Sequence, residues 1–131
     1  MTNSQLARGC IDMDYSQLTD QEINIQVARI IHPEREVIES KSRPPSACVI
    51  GHLPSKWLDY CNNPADAWPI ISANRISIEY DAEERCDTPV EWVTAYGIDE
   101  LKVHVVSHQP CDKALRSAMI VFLMMQDANH A

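Results

Sequence analysis

Only three glycines occur among the 131 residues of this chain. That scarcity excludes the loops that cradle phosphate on backbone N–H groups: neither GxGxxG nor GxxxxGK[ST] is present. There is no GxSxG elbow either, so serine catalysis and nucleotide hydrolysis by familiar routes are disfavoured. Basic residues are also few, 11 against 19 acidic ones, for a formal net charge of −8. Direct binding to a nucleic-acid backbone needs clustered Lys and Arg to displace counterions, and is not expected. The longest apolar run, Ala118 to Met125, is eight residues, far short of the roughly 20 that a membrane span needs. The opening MTNSQLARGCIDMD lacks both a basic cluster and an apolar segment, so it does not read as a signal peptide. No CxxC pair exists among the five cysteines (Cys10, Cys48, Cys61, Cys86, Cys111). An odd, scattered set reads as free, mostly buried thiols in a reducing cytoplasm.

What is there is ordinary globular material. A hydrophobic fraction of 45% and a charged fraction of 23% suit one domain with a buried core. Residues 1–12 are polar and aperiodic and read as a flexible leader; Met13 is an alternative start, and 13–131 form the domain. Thr19-Asp20-Gln21-Glu22 is a capping box. Ile23, Val27, Ile30 and Ile31 follow at helical spacing as one buried stripe, and Pro33 ends the helix. Glu36–Glu39 and Ala47–Ile50 read as strands joined through the Arg43-Pro44-Pro45-Ser46 turn. Asn63 with Pro64 opens a second helix, with Asp66 in its first turn and Trp68, Ile70 and Ile71 pointing inward. Pro69 implies a kink there or an irregular first turn. Arg75–Tyr80, Val90–Tyr96 and Leu101–Ser107 alternate as strands, the last two turning at Gly97 and Asp99. Asp112 is the expected cap of the final helix.

The order is α-β-β-α-β-β-β-α, an α+β fold with three helices. Short joins make the sheet mostly antiparallel or mixed, with four or five strands. The run Ala118–Met125 is apolar on every helical face and must be covered on every face. It therefore favours an α/β/α sandwich, or a homodimer through the final helix.

Candidate chemistry is sparse. His104 and His108 share a face of a regular strand but stand roughly 13 Å apart, too far for one metal ion even with Cys111 nearby. Cys48 and His52 fail likewise. Cys61 precedes a helix N-terminus, where a thiolate is favoured, yet no base stands near it in sequence, and a packed thiol is the plainer reading. The acidic stretch Asp81, Glu83, Glu84, Asp87 with Glu91 lacks the spacing and central glycine of a calcium loop. Trp92, Thr94 and Tyr96 share one strand face, opposite Val93 and Ala95. That aromatic face suits the packing of a helix, or the floor of a ligand pocket.

Three segments carry a resemblance. They are Met13–Asp20 with Glu22-Ile23-Asn24, then Asp59–Ile71 (DYCNNPADAWPII) with Asn74–Ile78, and Leu115–Gln126 (LRSAMIVFLMMQ). Together they resemble the NinX family of tailed-phage and prophage proteins over about a third of the chain. The leader falls outside the resemblance, and Asp112-Lys113-Ala114 departs from the Asn-Pro that relatives carry before the leucine. The resemblance implies a phage origin, expression in a bacterial cytoplasm and an accessory role; it implies no active site.

The expected function is that of a non-enzymatic phage accessory protein binding a host or defence-system protein. A nucleotide-type small-ligand binder is the alternative, with candidate residues Asn62, Asn63, Asp66, Trp68, Arg75, Trp92, Tyr96 and Arg116. An enzyme resting on Cys61 or the His104/His108 region is the weakest reading. No cofactor, metal or catalytic residue is expected.

Overall fold

A computed structural model describes residues 14–51, 54–84, 87–100 and 102–130; the expected leader and alternative start at Met13, and also His52 and Cys86, lie outside the described residues. The class is α+β. Three helices, α1 (Asp20–Ile31), α2 (Pro64–Ala73) and α3 (Ala114–His130), alternate with six strands. These are β1 (Val37–Glu39), β2 (Ala47–Val49), β3 (Lys56–Leu58), β4 (Ser77–Glu83), β5 (Val90–Ile98) and β6 (Val103–Gln109). All strand pairings are antiparallel, in two sheets ordered β1-β2-β3 and β4-β5-β6. The expected single sheet of four or five strands is thus two sheets of three. The difference lies in β3, whose three residues are too short to show a period in sequence.

The helix starts follow local chemistry. Thr19 Oγ1 accepts the Glu22 N–H at 3.1 Å, while the Thr19 N–H donates to the Glu22 carboxylate at 2.9 Å. That backbone hydrogen bond holds the Glu22 carboxyl below its ordinary range. Asn63 caps α2 through the Ala65 N–H at 3.0 Å, with Pro64 at the first helical position. The helix runs on through Pro69 to Ala73. It stops in a Schellman arrangement: Ile76 N–H reaches Ile71 O at 3.0 Å and Arg75 N–H reaches Ser72 O at 3.3 Å. Arg75 takes the left-handed position, φ 54°, where a chain richer in glycine would place one. The expected cap at Asp112 is absent. Asp112 lies instead inside a 3-10 turn, Cys111–Lys113, that leads directly into α3.

Packing corrects two burial expectations. The buried stripe of α1 is Ile23, Asn24, Val27 and Ala28, and Ile30 and Ile31 of the last turn are exposed. On α2 it is Ala67, Ile70 and Ile71; Trp68 faces outward, 63% exposed. The PADAWPII segment is apolar on more than one helical face, so spacing alone does not fix which face turns inward.

α3 is the central element. It packs on β5 and β6, and also on α1 and α2, while α1 packs on β1 and β2. α1 thus carries the first sheet and α3 the second, while α2 packs on α3. Every residue from Ala118 to Met125 is buried except Met124, which is partly so. The chain's own elements supply the cover that this apolar run demands.

The sheet side of this contact depends on small residues. Val93 and Ala95 are fully buried, and Gly97 continues their face of β5. A Cβ on Gly97 would lie 2.6 Å from Met125 Sδ and 3.2 Å from Val121 Cγ1. Gly97 is thus a close-approach residue within the strand. The turn itself lies one step on, where the Asp99 N–H donates to Lys102 O at 3.1 Å and the Lys102 N–H to Asp99 Oδ1 at 3.0 Å.

Met119 is fully buried at the centre of this arrangement. Met119→Ala is expected to lower the unfolding free energy by about 3 kcal/mol, from lost burial and the cavity left behind. Urea denaturation measures this; a loss below about 1 kcal/mol contradicts the central placing of α3.

Candidate functional site

Half of the residues expected to bind a ligand are engaged in holding the fold. Asn24, fully buried on α1, is the hub. Its amide donates to Pro45 O at 3.0 Å and to Asp59 Oδ1 at 2.9 Å, and its Oδ1 accepts the Cys61 N–H at 3.1 Å. Asn62 donates to both Asp59 and Asp20, at 3.1 Å and 3.2 Å. Asp66 accepts the Asp59 N–H at 3.0 Å, and Asn63 is the α2 cap. Arg116 ties α3 to this cluster. It meets Asp20 at 2.8 Å and donates to Leu18 O at 2.6 Å and Ser16 O at 3.3 Å. A buried polar group is tolerable only when bonded, and this network satisfies the polar atoms gathered where α1, α2 and α3 meet. Asn62, Asn63, Asp66 and Arg116 are brought together by this network, with Asn62 and Asn63 at its exposed side. Trp68 and Arg75 stand exposed elsewhere on α2 and at its end.

The cysteine and histidine candidates separate too. Cys61 is 3% exposed, and its thiol donates to Asp20 O at 3.8 Å. Burial first, and then the Asp20 carboxylate, push the thiol well above its ordinary range, against the effect expected from the helix terminus. His104 is buried on the α3 side of β6 with its Nε2 2.9 Å from Asp99 Oδ2. His108 lies on the other side. The register slips between Val93 and Ala95, so Val106 pairs Ala95 while Gln109 pairs Val93. Two residues of β6 thus oppose Thr94 alone, a β-bulge that changes side-chain parity. His104 and His108 therefore do not share a face as a regular strand would have it. Of the acidic stretch, Asp81 and Glu83 belong to β4 and not to a loop. Among the described residues no group of His, Cys, Asp and Glu could hold a metal ion.

What remains is the outer face of the second sheet, turned away from α3. Trp92, Thr94 and Tyr96 of β5 alternate with the buried Val93 and Ala95. Among the described residues no helix lies on the aromatic face; α3 takes the opposite one. Register places Val105 beside Tyr96 and Val103 beside Ile98. Ile98 is 65% exposed, Val103 53% and Val105 45%. Across the bulge, His108 adopts φ 57° and stacks on Trp92, ring centroids 4.8 Å apart at 20°. A non-glycine residue held in the left-handed region marks a site where side-chain direction outweighs backbone comfort. On the other edge, Glu79 pairs Thr94 and Asp81 pairs Trp92, so β4 lines this face with carboxylates. The result is an apolar and aromatic strip with an acidic border.

Sequence reasoning found Trp92 and Tyr96 but missed Ile98, Val103 and Val105, and it paired His108 with His104 rather than with this face. Alternation of Val103 and Val105 was the available signal; the bulge had none.

A family model described as Bacteriophage P22, NinX matches residues 14–126. The chain belongs to that family. Comparison with curated proteins and with solved structures gave no match.

Two outcomes separate the network from the face. Asn24→Ala leaves the Cys61 N–H and Pro45 O without partners and is expected to cost about 3 kcal/mol in chemical denaturation, whereas Trp92→Ala stays within about 1 kcal/mol of wild type. Equal losses would mean that the sheet face is structural. Iodoacetamide at neutral pH should alkylate half-buried Cys48 well before Cys61. Prompt modification of Cys61, followed by peptide mass spectrometry, would contradict its placing.

Proposed function

We propose that this NinX-family chain is a non-enzymatic phage accessory protein that holds a basic segment of a bacterial host protein against the outer face of β4–β6. The exposed apolar-aromatic strip with its carboxylate border is the observation that carries the reading. Large exposed apolar patches rimmed by polar groups characterise protein-docking surfaces. Trp and Tyr are the residues that most often anchor such contacts. The acidic border and the net charge of −8 favour a partner of opposite sign, since complementary charge steers encounter and fixes register. One face of the Trp92 ring is already taken by His108, which suits an extended protein contact better than a stacked nucleotide. No helix among the described residues is long and apolar enough to cross a membrane, in keeping with work in the host cytoplasm.

Affinity purification from infected cells, with a photo-crosslinker at Ile98, tests this directly. Wild type should yield one crosslinked host protein whose contact segment is basic. Tyr96→Arg should abolish the adduct with the melting temperature kept, while Ser72→Arg on α2 should leave it intact. An adduct unaffected by Tyr96→Arg, or a crosslink only to a second copy of the chain, overturns the proposal.

A further inference from the structure

The first sheet also has an outer face, and it is built differently. Val37, Ala47, Val49 and Leu58 are buried in the core, on the side where α1 meets β1 and β2. Ile38, Cys48 and Trp57, which are register partners across β1, β2 and β3, therefore floor the opposite side. The segment between β1 and β2 rises beside them and leaves a cavity of about 380 Å³ walled by Glu39, Ser40, Lys41 and Ser42.

That wall is fixed in advance. Ser40 is 4% exposed, and its Oγ accepts the Arg43 N–H at 3.0 Å. The buttress behind it is Gln21 of α1, whose amide donates to Ser40 O at 3.1 Å and to Ser46 O at 3.2 Å. A wall already held in place costs a ligand little ordering entropy.

The charge here runs against that of the chain. Between residues 35 and 56 the sequence carries four cations, Arg35, Lys41, Arg43 and Lys56, against two carboxylates, Glu36 and Glu39, within a protein of net charge −8; Lys41 and Glu39 both line the cavity. Arg43 lies flat over Trp57, its guanidinium carbon 4.1 Å from the ring centroid. Stacking uses the face of the guanidinium and leaves its in-plane N–H fork for an anion. Among the described residues neither Lys41 nor Arg43 has a carboxylate partner.

We propose that this cavity binds a planar aromatic anion no larger than a mononucleotide, its ring on the Ile38–Cys48 floor against the edge of the Arg43-covered Trp57, and its charged group held by Lys41 in the wall and by the Arg43 fork at the rim. The size matches the lower end of ligand pockets, which run from about 300 to 1,000 Å³. Apolar floor and polar rim are the usual division of labour in such sites. The anion source is open between phosphate and carboxylate, and both classes share the contacts described. The site is remote in sequence from the β4–β6 face and stands independently of the docking reading.

Two probes, adenosine monophosphate and naphthoate, test it by calorimetry and by the rate of Cys48 alkylation, with Cys111 as the internal control. At least one probe should bind saturably and slow Cys48 alkylation several-fold without protecting Cys111. Binding of the first alone assigns a phosphate, of the second alone a carboxylate, and either supports the site. Arg43→Gln, which keeps a flat group over Trp57 but removes the charge, should weaken binding about tenfold, whereas Trp92→Ala should not change it. Absence of Cys48 protection by both probes, or affinity unchanged in a folded Arg43→Gln protein, overturns the proposal.

Discussion

The rest of the molecule is arranged around one demand, that a helix apolar on all sides be kept from water on all sides. α3 cannot rest on a surface, because burying one stripe would leave the others exposed. β5 and β6 cover it on one flank and α1 and α2 on another. Each covering element needs a second layer only where its own outer side is apolar. α1 meets that need with β1 and β2, and α2 leaves Trp68 in solvent. The small residues of β5 that let α3 approach closely, Ala95 and Gly97, follow from the same demand. At Gly97 even a methyl group would have to displace Met125 or Val121.

The central packing brings three helix starts and connections together, and with them polar atoms that have lost water. Asn24 and Arg116 answer this at different depths. Asn24 works in the interior, where an unmet partner costs most. Arg116, less buried, gathers Asp20 and two carbonyls near the start of α1. Tyr15 extends the same strategy, its hydroxyl donating to Asp127 on α3. Burial, reinforced by that carboxylate, raises the Tyr15 pKa and keeps the hydroxyl a donor.

The outer faces of the sheets are surfaces that the core does not consume. The β4–β6 face is broad, apolar and acidic at its border, and the β1–β3 face is narrow, walled and cationic at its lip. The two faces thus differ in the sign of the charge at their borders. The bulge at Ser107-His108 shows how such a face is shaped: one extra residue turns a histidine outward onto Trp92, while His104 remains inside, bonded to Asp99.

Whatever depends on near neighbours in the chain was legible in the sequence. The capping box at Thr19 and Glu22, the Asn63-Pro64 helix start, the paired strands around Pro44 and Pro45, and the need of Ala118–Met125 for full cover all act over a few residues. The family resemblance rested on those same capping and core residues, and for that reason it came without a site. What only the tertiary structure decided are matters of phase and partnership. Trp68 turned outward because α2 has more than one apolar face and α3 contacts another of them. The short β3 pairs along the edge of β2, and no strand of β1–β3 pairs with β4–β6, so the strands form two sheets and not one. Asn62, Asp66 and Arg116, plausible as ligand contacts in a linear reading, became internal bonds once three helices converged on Asn24. Local spacing fixes helices and caps through short-range hydrogen bonds and excluded volume. Which face is buried, and which polar group is already satisfied, is settled only by what the folded chain places opposite it.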